Sequence, residues 1–284
     1  MDRENKLSSP KETIRVIKEH EFTFQKRYGQ NFLIDDHVID KIIQAAEIDD
    51  ETDVLEIGPG IGTLTQYLAE SARTVTVIEI DDKLIPILEE TLKSYNNVKI
   101  IHGDVMKQDI AELFDGKPFK IVANLPYYIT TPIIMSLLEK RVPADSITVM
   151  IQKEVADRMK AGPGTKDYGA LSLAVQYYCE PYLAANVPPN CFMPRPNVGS
   201  AVIRLTRLAE PPVEVEDEGQ MFRLIRAAFN QRRKTLANAV KNFAGLDYSR
   251  EDVEKALSEM DKDIRIRGEA LSLDEFARLS DLLG

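Results

Sequence analysis

Cysteine is scarce in this chain: Cys179 and Cys191 are the only two in 284 residues. Two thiols cannot build a disulfide framework or a zinc site in so long a chain, which points to a reducing, cytoplasmic setting. Histidine is equally sparse, and His20, His37 and His102 form no cluster that would suggest a metal centre. No apolar run is long enough to span a bilayer. No apolar segment near the start precedes a small-residue cleavage site, so neither a membrane span nor a signal peptide is expected. Internal repeats and low-complexity tracts are missing too. Positive charge is in short supply, with 36 Lys and Arg against 46 Asp and Glu for a net charge of -10. Taken as a sum, that argues against a nucleic-acid partner, because phosphate binding relies on positive surface. The distribution matters more: Arg223, Arg226, Arg232, Arg233, Lys234 and Lys241 crowd one short region, while acids collect at 214–218 and 251–259. A basic face on an acidic chain stays open.

What is present begins with 44% apolar residues, enough for a real core. The length suits one large domain with a smaller appendage. Near the start, Ser9, Pro10 and Glu12 resemble a capping box ahead of the apolar positions Ile14 and Ile17, which predicts a short helix. From Asp53 onward, apolar runs at 54–57, 75–80, 98–101, 121–123 and 147–151 alternate with amphipathic segments, the pattern of an open, mostly parallel sheet with helices on both faces. Two β-rich stretches at 182–187 and 198–205, separated by a proline-dense segment, predict an antiparallel edge. After the linker Glu210-Pro-Pro-Val213, helical periodicity takes over, as in Met221, Leu224, Ile225, Ala228 and Phe229. The expected organisation is an N-terminal extension over 1–40, an α/β domain over 41–208 and a small all-helical domain over 209–284.

Val54-Leu-Glu-Ile-Gly-Pro-Gly-Ile-Gly62 is a strand running into a glycine-rich turn and then a helix, the setting in which a nucleotide approaches the backbone. The spacing misses the G-x-G-x-x-G dinucleotide fingerprint. It resembles instead the E/D-x-G-x-G-x-G loop of methyltransferases, with Glu56, Gly58, Gly60 and Gly62 in its fixed places. About twenty residues on, the next strand ends in Glu79, placed to accept from ribose hydroxyls. The third strand ends at Gly103-Asp104-Val105, where Asp104 can accept from an adenine amino group and a following backbone N–H, that of Val105, can donate to the ring. Three strand ends thus converge on one nucleoside.

The fourth strand ends in Asn124-Leu-Pro-Tyr127. An exocyclic adenine nitrogen is a poor nucleophile because its lone pair is delocalised into the ring. Acceptors from the Asn124 side chain and the Leu125 carbonyl can take its two hydrogens and move the nitrogen towards tetrahedral geometry. Pro126 stiffens the turn. The ring of Tyr127, rather than its hydroxyl, is expected to stack on an extracted base, with Phe192 a candidate for the opposite face. No step in this scheme calls for a metal.

These residues resemble the KsgA group of ribosomal RNA adenine dimethyltransferases, over nearly the whole chain. Lys26-Arg-Tyr-Gly-Gln-Asn-Phe-Leu33 is similar to the family segment that precedes the sheet and closes over the cofactor. Phe192-Met-Pro-Arg-Pro-Asn-Val198 is similar to the element beside the target base, and Phe229-Asn-Gln-Arg-Arg-Lys-Thr-Leu236 to the basic helix of the terminal domain. The resemblance implies a Rossmann-like class I sheet binding S-adenosylmethionine through Gln30, Asn31, Leu33, Glu56, Gly58, Gly60, Glu79, Asp104, Val105 and Asn124. It also implies RNA contacts by Lys26, Arg27, Arg195, Arg223, Arg226, Arg232, Arg233 and Lys234. The expected activity is N6-dimethylation of adjacent adenosines in small-subunit ribosomal RNA, by a monomer acting on the immature subunit. A sister group acting on large-subunit RNA commonly has Ile where this chain has Leu125. A noncatalytic ribosome-assembly binder would need no intact cofactor pocket.

Overall fold

The computed structural model describes residues 6–25 and 29–284, so the expected roles of Lys26 and Arg27 lie outside the described residues. It divides into two compact units, the first made of 1–156 and 181–207, the second of 157–180 and 208–284.

In the first unit the elements run α1 (Pro10–Glu19), β1 (Phe32–Leu33), α2 (Asp36–Ala46), β2 (Asp53–Ile57), α3 (Thr63–Ser71), β3 (Thr74–Glu79), α4 (Ile85–Thr91), β4 (Val98–His102), β5 (Lys120–Asn124), α5 (Thr130–Glu139) and β6 (Ser146–Gln152). Each expected strand of the parallel run is found within a residue or two of its predicted bounds. Helix α6 (Lys153–Lys160) and helix α7 (Ala170–Tyr178) follow, then β7 (Cys179–Val187), β8 (Phe192–Met193) and β9 (Ser200–Arg207). The large sheet has the order β4-β3-β2-β5-β6-β9-β7. Strands β2 to β6 pair in parallel, and β9 runs antiparallel to β6 with Met150 opposite Val202. Because β2 and β5 are central, their near-continuous apolar burial is what a sheet covered on both faces demands. Ile39 and Ile42 of α2 and Leu64 and Leu68 of α3 bury themselves with Val54, Val75, Val122 and Val202. Each such side chain contributes about 1.5–3 kcal/mol on leaving water.

A second, two-stranded ladder pairs β1 with β8, placing Phe32 opposite Met193 and Leu33 opposite Phe192. This long-range pairing brings the segment before the sheet against the proline-dense segment near its end. The helix at 10–19 forms, but not through the expected capping box: Ser9 makes no side-chain cap, and Glu12 accepts instead from Arg15 Nε at 2.8 Å. Pro10 at the first helical turn starts the helix in its place, since its missing N–H has no partner to lose there.

The second unit contains α8 (Glu218–Asn230), α9 (Leu236–Lys241), α10 (Arg250–Glu259) and α11 (Leu273–Leu283), together with 157–180. Tyr168, Leu173 and Tyr177 share one apolar core with Met221, Leu224, Leu236, Leu257 and Phe276. The boundary expected at 208/209 therefore does not isolate this helical unit, which takes a further helix from inside the α/β stretch.

Candidate active site at the carboxyl ends of the parallel strands

The ends of β2, β3, β4 and β5 open into a cavity of about 240 Å³ lined by Glu56, Gly58, Gly60, Glu79, Asp104, Val105, Asn124, Tyr127 and Phe192, with Gln30, Asn31 and Leu33 from the preceding segment. Clefts at this edge are where open α/β sheets hold ligands. Every cofactor residue expected from the sequence lines this one space.

The glycine turn after β2 is built for close approach. Gly58, Gly60 and Gly62 all have positive φ, at 67°, 63° and 91°. A Cβ added to Gly60 would come within 3.0 Å of the Phe32 ring, whereas one added to Gly58 would meet nothing within 4 Å. Gly60 is therefore packed against protein, while Gly58 faces room that a ligand can fill.

Two carboxyls stand at the floor. Glu56 is 1% exposed and its Oε2 has no partner among the described residues. Burial, with the nearby Glu79 charge adding to it, pushes its carboxyl up to about 8. An orphaned buried oxygen in a ligand cavity is unfavourable unless something donates to it on binding. Glu79 is better provided: Oε1 accepts from Asp81 N–H at 2.8 Å and Oε2 from Gly60 N–H at 3.3 Å, though burial still raises its pKa. These bonds aim the carboxylate and leave further lone pairs for ligand hydroxyls. Asp104 Oδ1 accepts from Met106 N–H at 3.0 Å, which starts the tight turn at 105–107 and presents Val105 to the cavity.

Gln30 lines the cavity, yet its side chain is engaged elsewhere. Its Oε1 accepts from Gln25 N–H at 3.0 Å and its Nε2 donates to Asp81 at 2.8 Å. Gln25 Nε2 donates to both Asp81 oxygens at 3.2 Å. This link was not visible in the sequence, because Asp81 stands in an ordinary Glu-Ile-Asp-Asp run.

At the end of β5, Asn124 Nδ2 donates to the Asn31 carbonyl at 3.2 Å. That bond fixes the amide so that Oδ1 remains the acceptor. Leu125 N–H donates to the Met150 carbonyl of β6 at 3.2 Å, and Pro126 O accepts from Ile129 N–H at 3.2 Å and from Thr130 Oγ1 at 3.0 Å. The segment is thus tied at both ends. Tyr127 does more with its hydroxyl than the sequence suggested: it shares a 2.7 Å hydrogen bond with Ser200 Oγ of β9, and burial raises its pKa. Phe192 is buried at the cavity wall through its pairing with Leu33.

The basic residues fall into different places. Arg195 is exposed in the loop after β8. Arg223 and Arg226 lie on α8, three apart and so on one side of it, with Arg223 Nη2 3.5 Å from Asp217. Arg232, Arg233 and Lys234, expected on a helix, sit in the turn between α8 and α9. The helix ends there because Gln231 leaves helical geometry at φ -125°, ψ 54°, and Lys234 N–H closes the turn on its carbonyl at 2.8 Å. Arg232 is committed to protein: its Nη2 donates to the Lys166 carbonyl and to Glu269, each at 3.1 Å. Arg233 and Lys234 are exposed.

The sheet order and the glycine turn define a class I S-adenosylmethionine-dependent methyltransferase fold. Residues 21–281 match the model of the ribosomal RNA adenine dimethylase family, and the chain belongs to that family. It is 61% identical to the ribosomal RNA small subunit methyltransferase A of Lachnoclostridium phytofermentans over 98% of this chain and 97% of that protein. Identity to the protein of the same name from Listeria monocytogenes is 50%, again over 98% and 97%. Among solved structures, a dimethyladenosine transferase from Plasmodium falciparum aligns with a TM-score of 0.71 at 28% identity, covering 87% of this chain and 95% of that one. The 23S ribosomal RNA methyltransferase ErmE aligns with a TM-score of 0.66 at 29% identity, covering 89% and 99%.

Proposed function

We propose that this chain transfers methyl groups from S-adenosylmethionine to N6 of adenosines in small-subunit ribosomal RNA. It dimethylates two adjacent adenosines of the 3′-terminal hairpin of 16S RNA, acting in the cytoplasm as a monomer on the immature subunit. The observation that carries the reaction is the Asn124 amide, locked by Asn31 with its oxygen left to accept at the cavity. Full-length identity to the small-subunit enzymes, together with Leu125 in the catalytic turn, favours that substrate over large-subunit RNA.

The residues present suit the cofactor. When bound, S-adenosylmethionine supplies an electrophilic methyl group on a positively charged sulfur. Glu79 would hold the ribose hydroxyls, while Asp104 and the Val105 N–H would take the adenine edge. Gly58 leaves the backbone open, and Glu56 offers its unpartnered oxygen to a cationic or donor group.

The target nitrogen is handled by protein acceptors. Asn124 Oδ1 and the Leu125 carbonyl accept its two hydrogens, which localises the lone pair for attack and provides the exit for the proton lost on transfer. Tyr127 stacks on the extracted adenine against Phe192, and its Ser200 bond sets the ring plane. Transfer of labelled methyl to unmethylated small ribosomal subunits, with cofactor affinity measured in parallel, tests this. Asn124→Ala should lose about a hundredfold to a thousandfold in turnover and still bind cofactor. Near-normal turnover would remove the centre of the mechanism. Tyr127→Phe should raise KM for RNA several-fold, because a ring released from Ser200 is no longer held flat.

A further inference from the structure

Tyr128 sits at the mouth of the cavity and has no part in the scheme above. It is 58% exposed. Tyr127 and Tyr128 occupy the two middle positions of the turn that Pro126 O closes by accepting from Ile129 N–H at 3.2 Å. Side chains at neighbouring turn positions diverge. Tyr127 accordingly reaches inward to Ser200, while Tyr128 is left at the rim, and both line the cavity.

The Tyr128 ring also lies beside a position that has no side chain. A Cβ built on Gly29, where φ is +54°, would lie 3.4 Å from Cδ1 and 3.6 Å from Cε1 of that ring, and 3.6 Å from Pro126 Cβ. Gly29 therefore leaves the space beside the ring free of a side chain, with Pro126 nearby, and the closed turn fixes the Tyr128 backbone. A platform set this way loses little freedom when a flat ligand lands on it.

We propose that Tyr128 stacks on the base next to the target adenine and so holds the flanking nucleotide while its neighbour occupies the cavity. The inference rests on the proposed RNA substrate and adds a second base site to it. Extracting an adenine strips a stacking partner from the adjacent base, and an exposed ring one residue from Tyr127 restores that partner where the strand must pass. Stacking on an aromatic face is tolerant of base identity, so Tyr128 secures the strand rather than reading it.

The test is steady-state methylation of unmethylated small ribosomal subunits, with cofactor affinity and thermal melting followed for each variant. Tyr128→Leu should raise KM for RNA on the order of tenfold, leaving kcat at saturating RNA, cofactor affinity and the melting temperature near wild type. Tyr128→Phe and Tyr128→Trp should restore KM, since any aromatic face serves. A Leu variant as good as Phe would overturn the proposal, and so would a loss that appears in cofactor affinity, which would assign the ring to the cofactor. Failure of the wild-type protein to methylate ribosomal RNA would sink the proposed function itself, a result distinct from a silent Tyr128.

Discussion

Glu56 shows how a single buried group can set the pH response of the free protein. Its carboxyl is pushed up to about 8, first by burial and then by the Glu79 charge, so the folded state keeps a proton that the unfolded chain releases at ordinary carboxylate pH. The sign follows from linkage. Stability from this group is complete below the unfolded carboxylate value of 4.5 and is lost as pH rises towards about 8. Glu79, also raised by burial, acts in the same direction. Glu56→Gln keeps the shape and cannot ionise, so its melting temperature should fall less than that of wild type between about pH 5 and about pH 8. Parallel melting curves across that window would assign the slope to another group. A cationic cofactor should lower the Glu56 pKa, so calorimetry in buffers of different protonation enthalpy should show proton release on binding in wild type and less in Glu56→Gln.

At the scale of elements, turns carry most of the proposed site. Gly60→Ala places a Cβ 3.0 Å from the Phe32 ring at a φ of +63°, and left-handed strain alone costs about 1–2 kcal/mol. The expected result is a lower melting temperature together with weaker cofactor binding, because Phe32 also fixes the segment carrying Asn31. Between α8 and α9, Arg232, Arg233 and Lys234 are all exposed, but Arg232 also bonds to Lys166 and Glu269. Replacing Arg233 and Lys234 with Ala should therefore weaken RNA binding and reduce its salt slope by about 2, whereas Arg232→Ala should act chiefly through stability. Equal salt slopes for wild type and the double variant would place the phosphate contacts elsewhere. The parallel strands, and the cavity lining at their ends, were legible because burial on both faces forces apolar runs and the proposed site residues sit at fixed points after them. Features made by distant segments were not. The pairing of Leu33 with Phe192, the Gln30 link to Asp81 and the Ser200 partner of Tyr127 each join residues whose local sequence carries no mark of the other. The reach of α8 was misjudged for a related reason: Arg-Arg-Lys suits a helix by propensity, yet the Gln231 carbonyl is taken by a turn.

The division of the whole molecule follows burial and departs from the order of the chain. The linker Glu210-Pro-Pro-Val213 invites the boundary expected at 208/209, but α7 gives Leu173 and Tyr177 to the core of the terminal helices. Tyr168 adds a tether, its hydroxyl donating to the Leu271 carbonyl at 2.9 Å. Gly268 leaves so little space that a Cβ there would lie 2.5 Å from Ala228 Cβ, so this unit is closely packed as well as shared between two stretches of chain. A fragment of residues 209–284 lacks three buried side chains of its own core, each contributing about 1.5–3 kcal/mol, out of a total that rarely exceeds a few kcal/mol in so small a domain. It should show helical circular dichroism with a broad, weakly cooperative melt. The complementary fragment ending at 208 should expose the same apolar residues of α7 and self-associate. Adding residues 157–180 as a separate peptide to 209–284 should sharpen the melt and disperse its amide spectrum. A fragment of 209–284 that melted cooperatively at the temperature of the intact protein's helical unit would show that α7 is dispensable to that core.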